Sequence, residues 1–179
     1  NAESTIAVVY ADGAIVNGSG GDSLFGGSSI GDHTFRRYIQ QAIDAEVSAL
    51  VVRISSPGGS GSASDAIWRD LQRVKNLGIP IVISMGDYAA SGGYYIAAAG
   101  DHIFAEETTV TGSIGVYINR FQLARLYDLL GIGVENLSMG NHAGIYTKSQ
   151  GWTASERDKM EDLVEDAYRL FKTRVSDGR

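Results

Sequence analysis

The chain is poor in cysteine, proline and histidine, and these scarcities exclude several classes of function. Its 179 residues include no Cys, two Pro and three His. A chain without cysteine has neither a disulfide nor a thiol nucleophile, which leaves both reducing and oxidising compartments open. No apolar run approaches the ~20 residues that span a bilayer. The net charge is −6 and the longest basic cluster is Arg36-Arg37, which argues against a nucleic-acid partner.

The chain does have many hydrophobic residues (44%) and 23 glycines, a composition typical of an α/β domain rich in turns. Apolar runs of strand length alternate with apolar residues at helical spacing, which predicts a largely parallel sheet flanked by helices, in a single domain over 1–179. We expect strands at 6–10, 49–54, 79–83, 102–105, 114–117 and 134–137. We expect helices at 34–46, around 62–75, after Ser91, at 123–130 and from Thr153 onward, and a loop at 17–31. The last helix is expected to turn Met160, Leu163, Val164, Ala167, Leu170, Phe171 and Val175 inward.

Ser91 lies where an apolar strand pattern gives way to a helical one. Gly92 and Gly93 follow it and leave room for a substrate backbone, and the helix dipole favours negative charge at this end. This pattern is typical of a nucleophile turn. It also fits a serine that only caps a helix by accepting one backbone N–H.

A second glycine-lined turn, Ser55-Ser56-Pro57-Gly58-Gly59-Ser60-Gly61, follows the strand at 49–54. Its two glycines permit positive φ and close approach of another chain. A turn of this kind is able to direct backbone N–H groups at one point, as an anionic tetrahedral intermediate requires. The alternative is an ordinary strand-to-helix loop.

Three motifs in order resemble the signal peptide peptidase A (protease IV) family of Ser-Lys serine proteases. They are Ser56-Pro57-Gly58-Gly59, Ala89-Ala90-Ser91-Gly92-Gly93-Tyr94-Tyr95-Ile96 and Thr111-Gly112-Ser113-Ile114-Gly115. The resemblance implies the fold of the Clp protease and the crotonases, with repeated β-β-α units. It implies Ser91 as nucleophile, Ser113 as the residue that orients the base, and an oxyanion site formed by Gly92 with Gly58 or Gly59.

A serine nucleophile needs a general base, and the histidines are poor candidates for it. His33 opens a helix as a surface or capping residue. His102 begins a strand at the far end of the helix after Ser91. His142 lies in the loop 138–144 and is the least implausible of the three, but no orienting carboxylate accompanies it.

The base of the family is a lysine, and this chain departs from the family there. In single-domain members the lysine lies in the loop that here reads Gly140-Asn141-His142-Ala143-Gly144, which places Ala143 at its position. Lys75, Lys159 and Lys172 are expected to be solvated, whereas Lys148 reaches the site if the loop bends. Double-length members carry the lysine in their amino-terminal half and the serine in the carboxyl-terminal half, which this chain resembles. Loss of the lysine at Ala143 is a third alternative.

The resemblance also implies partners and location. Substrates would be extended peptides such as cleaved signal peptides, and the domain would form homo-oligomers attached to a bacterial-type membrane, on its extracytoplasmic side, through regions outside this chain. Asn1 is not an initiator residue, so we expect a processed or trimmed part of a longer protein. No cofactor or metal is expected, because neither a Cys/His ligand set nor a Gly-x-Gly-x-x-Gly pattern occurs. Two alternatives remain open: a catalytically incomplete peptide-binding or assembly module, and an acyl-CoA enzyme of the same fold.

Overall fold

The computed structural model describes residues 4–23 and 27–179, in which eight strands and five helices are formed. The strands are β1 (Ile6–Asp12), β2 (Ala14–Val16), β3 (Asp22–Ser23), β4 (Gly27–Gly31), β5 (Ala49–Ser56), β6 (Ile81–Ala90), β7 (His102–Phe104) and β8 (Val110–Gly112). The helices are α1 (Asp32–Asp44), α2 (Gly61–Asn76), α3 (Gly92–Ala97), α4 (Ala124–Leu129) and α5 (Ala154–Gly178). The chain divides into two compact units, the first comprising residues up to Gly115 together with Leu170–Arg179 and the second comprising Val116–Arg169.

The main sheet of the first unit is parallel throughout. Its strands run in the order β1-β5-β6-β7, and β8 pairs with the last residues of β6. Leu50 lies opposite Ile81 and Val52 opposite Ile83, so the central strands present one continuous apolar face. Because β5 and β6 run in the same direction, the two glycine-lined turns leave from the same edge of the sheet. The predicted α/β class with a largely parallel sheet is confirmed.

Helices α1 and α2 pack on that apolar face. Their buried stripes consist of Phe35, Ile39 and Ala42 in α1 and of Ile67, Leu71 and Val74 in α2. Burying one large aliphatic or aromatic side chain stabilises a protein by ~1.5–3 kcal/mol, so these helices fix the strands that carry both turns. Helix α2 begins at Gly61 because Ser60 caps it, accepting the N–H of Ala63 at 3.3 Å.

A small sheet with the order β2-β4-β3 occupies part of the segment predicted to be a loop. The loop prediction is wrong at 22–23, which pair with β4. It is also wrong at 27–31, because these residues pair with β2 and set Ile30 opposite Ile15 in the core. Residues 24–26 of the predicted loop lie outside the described residues. Strand β2 also reaches the second turn, since the Ile15 N–H donates to the Gly58 carbonyl at 2.9 Å.

The second unit contains α4 and the first four turns of α5. The strands predicted at 114–117 and 134–137 are not formed, because no strand of the described residues lies alongside either segment. The chain is held instead by side chains. Arg120 donates to the carbonyls of Thr147 and Gln150 and stacks on the Trp152 ring at 5.1 Å.

Helix α5 begins with a capping box at Thr153, where the sequence predicts its start. The Thr153 N–H donates to Glu156 Oε2 at 2.9 Å, and the Glu156 N–H donates to Thr153 Oγ1 at 3.2 Å. The predicted inward face is only partly correct. Met160 and Phe171 are buried and Val164 and Val175 half-buried, whereas Leu163, Ala167 and Leu170 are exposed. In the described part of the chain, no helix is both long and apolar enough to cross a membrane.

Candidate active site

Ser91 joins β6 to α3 in a backbone conformation that few serines adopt. Its φ is 53° and its ψ is −118°, in the half of the backbone map that favours glycine. Such a conformation costs about 1–3 kcal/mol and persists only where the surrounding structure enforces it. Strain of this kind is frequent at nucleophile turns, where it holds the side chain away from the strand.

The hydroxyl group of Ser91 is half-buried and does not cap α3. It has no hydrogen-bond partner within residues 4–23 and 27–179. The interpretation of Ser91 as a serine that only caps a helix is therefore wrong. Its oxygen is available to another group.

Two backbone hydrogen bonds hold Ser91 in place. Its N–H donates to the carbonyl of Gly112 at 2.8 Å, and its carbonyl accepts the N–H of Tyr95 at 2.9 Å. The first bond extends the pairing of β8 with β6, in which Ala90 lies opposite Gly112. Ser91 is thus fixed by a neighbouring strand on one side and by the first turn of α3 on the other.

The turn after β5 contacts Ser91 directly, and only glycine permits that approach. A Cβ atom on Gly58 would lie 2.6 Å from the nitrogen of Gly92 and 2.8 Å from the Cβ of Ser91. A Cβ atom on Gly92 would lie 2.5 Å from the Oγ of Ser64. The two turns predicted separately from the sequence therefore form one site at the edge of the sheet.

Backbone N–H groups at this site differ in whether they are already bonded. The Gly58 N–H donates to Ser56 Oγ at 3.2 Å, and that hydroxyl donates to the Gly13 carbonyl at 2.7 Å. The N–H groups of Gly59 and Gly92 have no acceptor among the described residues. Gly92 opens α3, where first-turn N–H groups lack an intrahelical partner. Of the two alternatives for the second donor, Gly59 is thus the unoccupied one.

Ser113 follows β8 and also has a positive φ, of 50°. The register that pairs Ala90 with Gly112 places Ser113 and Ser91 at equivalent positions, one residue beyond adjacent strands. Its side chain is exposed.

A cleft of ≈ 410 Å³ opens beside the turn that follows β5. It is lined by Asp12, Gly13, Ala14, Gly27, Ser28, Ser55, Pro57 and Tyr88.

Comparison with known proteins gives a consistent result. The sequence profile of peptidase family S49 matches residues 73–179, which include Ser91 and Ser113. Serine protease SPPA, chloroplastic, of Arabidopsis thaliana is 35% identical over 175 residues, which cover 97% of this chain and 26% of that protein. Protease 4 of Salmonella typhi is 34% identical over 175 residues, covering 98% of this chain and 28% of that one. Protease 4 of Haemophilus influenzae is 32% identical over 180 residues, covering 100% of this chain and 28% of that protein.

The chain belongs to peptidase family S49. The resemblance to the signal peptide peptidase A family is thereby confirmed, and the acyl-CoA enzyme of the same fold is set aside. The S49 chain spans between 26% and 28% of the length of these three relatives.

The histidines of this S49 chain offer no base next to Ser91 in the first unit. His33 lies on α1 with its side chain 68% exposed. His102 lies opposite Val82 near the amino end of β6, and Ser91 follows the other end. Most of the length of β6 therefore separates His102 from Ser91. His142 lies in the second unit, where its Nε2 pairs with Ser155 Oγ at 2.9 Å.

The lysines divide between the two units. Lys75 is half-buried and pairs with Asp101 at 3.0 Å. The Asp101 carboxylate accepts the N–H of Ile81, which places this ion pair at the end of β6 remote from Ser91. Lys148 and Ala143 are both exposed in the second unit. A lysine acts as a base when apolar surroundings keep it neutral, and the exposed Lys148 lacks them.

Lys159 pairs with Asp162 at 3.9 Å, and Lys172 lies on the exposed side of α5.

Among the described residues, no group of three or more His, Asp or Glu side chains is arranged to hold a metal ion.

Sequence reasoning missed a buried polar group beneath α3. The Tyr95 hydroxyl donates to Asp65 Oδ1 at 2.8 Å, and Arg174 Nε donates to the same oxygen at 3.2 Å. Burial, and then the adjacent Asp65 carboxylate, raise the pKa of Tyr95 well above its ordinary value. Asp65 and Arg174 are 109 residues apart, so no local pattern connects them.

Proposed function

We propose that this S49 chain is a serine endopeptidase domain in which Ser91 is the nucleophile. The observation that carries the proposal is the unpaired hydroxyl of Ser91 at a strained strand-to-helix turn, next to the unoccupied N–H of Gly92. A helix cap would be bonded and unstrained. A serine held in this way at energetic cost is ready to react with a substrate carbonyl.

The reaction proceeds through an acyl-enzyme. Ser91 Oγ attacks the scissile carbonyl carbon while a base accepts its proton, and the carbonyl oxygen becomes an oxyanion. The N–H groups of Gly92 and Gly59 bind that oxygen, and each donor contributes about 3–4 kcal/mol to lowering the barrier. The peptide amine leaves with the proton, and water then hydrolyses the ester.

The base is a lysine supplied from outside this chain. Two observations support this: Ala143 stands where the family has its lysine, and Lys75 is paired with Asp101 at the far end of β6. Ser113 orients the neutral amine of the incoming lysine, for which its exposed position beside Ser91 is suited. Lys148 is the alternative within the chain and would require a buried position that it does not have here.

The substrates are extended peptides with small or apolar side chains, such as cleaved signal peptides. The outer edge of β8 carries no strand among the described residues, so its backbone is available to pair with a substrate strand. The cleft beside Pro57 offers space for a side chain of that substrate. We further propose homo-oligomers attached to an extracytoplasmic membrane face through regions outside this chain.

A catalytically incomplete peptide-binding or assembly module is the second candidate, and Ala143 is the observation in its favour. Incubating the chain with a synthetic signal peptide separates the two candidates. We expect no cleavage by the chain alone, and cleavage by the longer protein that carries the lysine, abolished there by Ser91→Ala. Binding without cleavage by both proteins would support the module and overturn the protease. Cleavage by the chain alone would place the base within it.

A further inference from the structure

Helix α3, which follows Ser91, is too short to hold its own position. It has six residues, of which two are glycines. Isolated helices of this length are marginal in water, and glycine weakens them further. The strained backbone of Ser91 adds a cost that the surroundings must offset. Contacts from outside α3 therefore decide where the nucleophile and the Gly92 N–H lie.

The carboxyl end of α5 supplies one such contact through the side chain of Tyr95. The Tyr95 hydroxyl and Arg174 Nε bond the same oxygen of Asp65, which is 7% exposed. The Arg174 guanidinium also lies 4.0 Å from the centre of the Trp68 ring, and the rings of Tyr95 and Phe171 are 4.8 Å apart. Phe171 of α5 thus packs against the Tyr95 ring, and the ion pair of Asp65 with Arg174 holds the Tyr95 hydroxyl.

A second contact holds the other end of α3. Arg179 Nη2 lies 3.3 Å from the Ala97 carbonyl, 3.5 Å from that of Ala98 and 3.1 Å from that of Gly100. These carbonyls lie at and just beyond the carboxyl end of α3, where a cation complements the helix dipole. Gly178 lets the two segments meet, because a Cβ atom on it would lie 2.0 Å from the Ala98 carbonyl oxygen.

We propose that Arg174 and Arg179 are positioning residues that hold α3, and through it Ser91, in the reactive geometry. The link to the nucleophile is the hydrogen bond from the Tyr95 N–H to the Ser91 carbonyl. A shift of Tyr95 moves that carbonyl and the adjacent Gly92 N–H together. This inference rests on the proposed role of Ser91, and it adds that the carboxyl end of α5 is part of the catalytic apparatus without touching substrate.

The test compares Arg179→Ala, Arg179→Lys and Tyr95→Phe with the unaltered protein, all in the longer form that carries the lysine. A fluorophosphonate probe gives two constants, the maximal rate of Ser91 modification and the probe concentration for half that rate. We expect Arg179→Ala and Tyr95→Phe to lower the maximal rate by about tenfold to hundredfold, because small misplacements of reacting groups are costly. The half-rate concentration should not change, and Arg179→Lys should restore part of the rate.

Arg36→Ala is the matched control. Arg36 Nε bonds the buried carboxylate of Asp70 at 2.9 Å, so its removal leaves a buried acid short of a partner, as Tyr95→Phe does at Asp65, but its bonds do not involve α3. It should lower the melting temperature without altering the rate of modification. If Arg36→Ala slows the reaction as much as Arg179→Ala does, the positioning role is refuted and the effect is one of general stability.

Amide hydrogen exchange over residues 89–99 provides a readout that needs no reaction. Exchange should be faster in Arg179→Ala and unchanged in Arg36→Ala. If the longer protein that carries the lysine does not react with the probe, the proposed function fails and exchange alone decides the inference. Unchanged exchange in Arg179→Ala would then overturn it.

Discussion

Replacing Gly58 by alanine tests the contact on which the site is built. Gly58 has a φ of +99°, and for alanine a left-handed conformation costs about 1–2 kcal/mol. The added Cβ would lie 2.6 Å from the Gly92 nitrogen and 2.8 Å from the Ser91 Cβ. Neither atom is the end of a flexible side chain, so the turns must separate, at an overpacking cost of about 1–3 kcal/mol. We expect Gly58→Ala to lower the free energy of unfolding by about 2–5 kcal/mol.

The separation also displaces the Gly92 N–H, so reactivity should fall further than stability explains. Loss of one oxyanion donor slows catalysis by about 10²–10³-fold. Gly78→Ala is the control: its φ is +79°, but a Cβ there would meet no atom within 4 Å. Urea unfolding gives the stability of each variant. Fluorophosphonate labelling of the longer protein that carries the lysine gives the reactivity of Ser91. Equal labelling rates in Gly58→Ala and Gly78→Ala would refute the contact between the turns.

Three further predictions concern the base and the titrating groups. Ala143→Lys should raise the labelling rate of the chain by roughly 10²–10⁴-fold, and Asn141→Lys in the same loop should not; equal gains would contradict the assignment of position 143. Burial and the Asp65 carboxylate raise the pKa of the Tyr95 hydroxyl. The protonated hydroxyl therefore stabilises the fold fully below about pH 10, and this stabilisation is lost as the pH rises through the pKa that Tyr95 has in the folded protein. Urea unfolding above pH 10 should therefore show a smaller loss in Tyr95→Phe, and an identical loss would count against the buried hydroxyl. Burial would raise the pKa of Asp101, but the Ile81 N–H and the Lys75 ammonium outweigh it and lower that pKa. The ionised carboxylate therefore adds less than about 1 kcal/mol to the free energy of unfolding, and this stabilisation is lost as the pH falls below about 4. Melting temperatures of Asp101→Asn should show less acid sensitivity than those of the unaltered chain, and equal sensitivity would remove that pair from the account.

The parts of the site that sequence predicted are those in which local chemistry and local geometry coincide. Tight turns after apolar strands are predicted from Gly58 and from Ser91 with Gly92. The structure requires glycine where those two turns are in contact. The side-chain state of Ser91 was not predictable, since a capping serine and an unpaired one have the same neighbours in sequence. Only the folded structure distinguishes them, because it shows whether the hydroxyl group is bonded.

The parts that sequence did not predict depend on partners far along the chain. Residues 27–31 read as a loop because they are mostly glycine and serine, but β2 supplies the pairing that makes them a strand. The run at 134–137 has strand composition and stays irregular because no strand lies beside it among the described residues. The contact of Arg174 with Asp65 is likewise invisible locally. Propensity sets what a segment is able to form, and long-range pairing decides whether it forms.

The site of fluorophosphonate modification, mapped by mass spectrometry of the chain alone and of the longer protein, identifies the nucleophile. We expect a phosphonyl adduct on Ser91 in the longer protein, no adduct in its Ser91→Ala variant, and little or none in the chain alone. An adduct on another residue, or none in either protein, would contradict Ser91 as the nucleophile. An adduct on Ser91 in the chain alone, at the rate of the longer protein, would contradict a base supplied from outside.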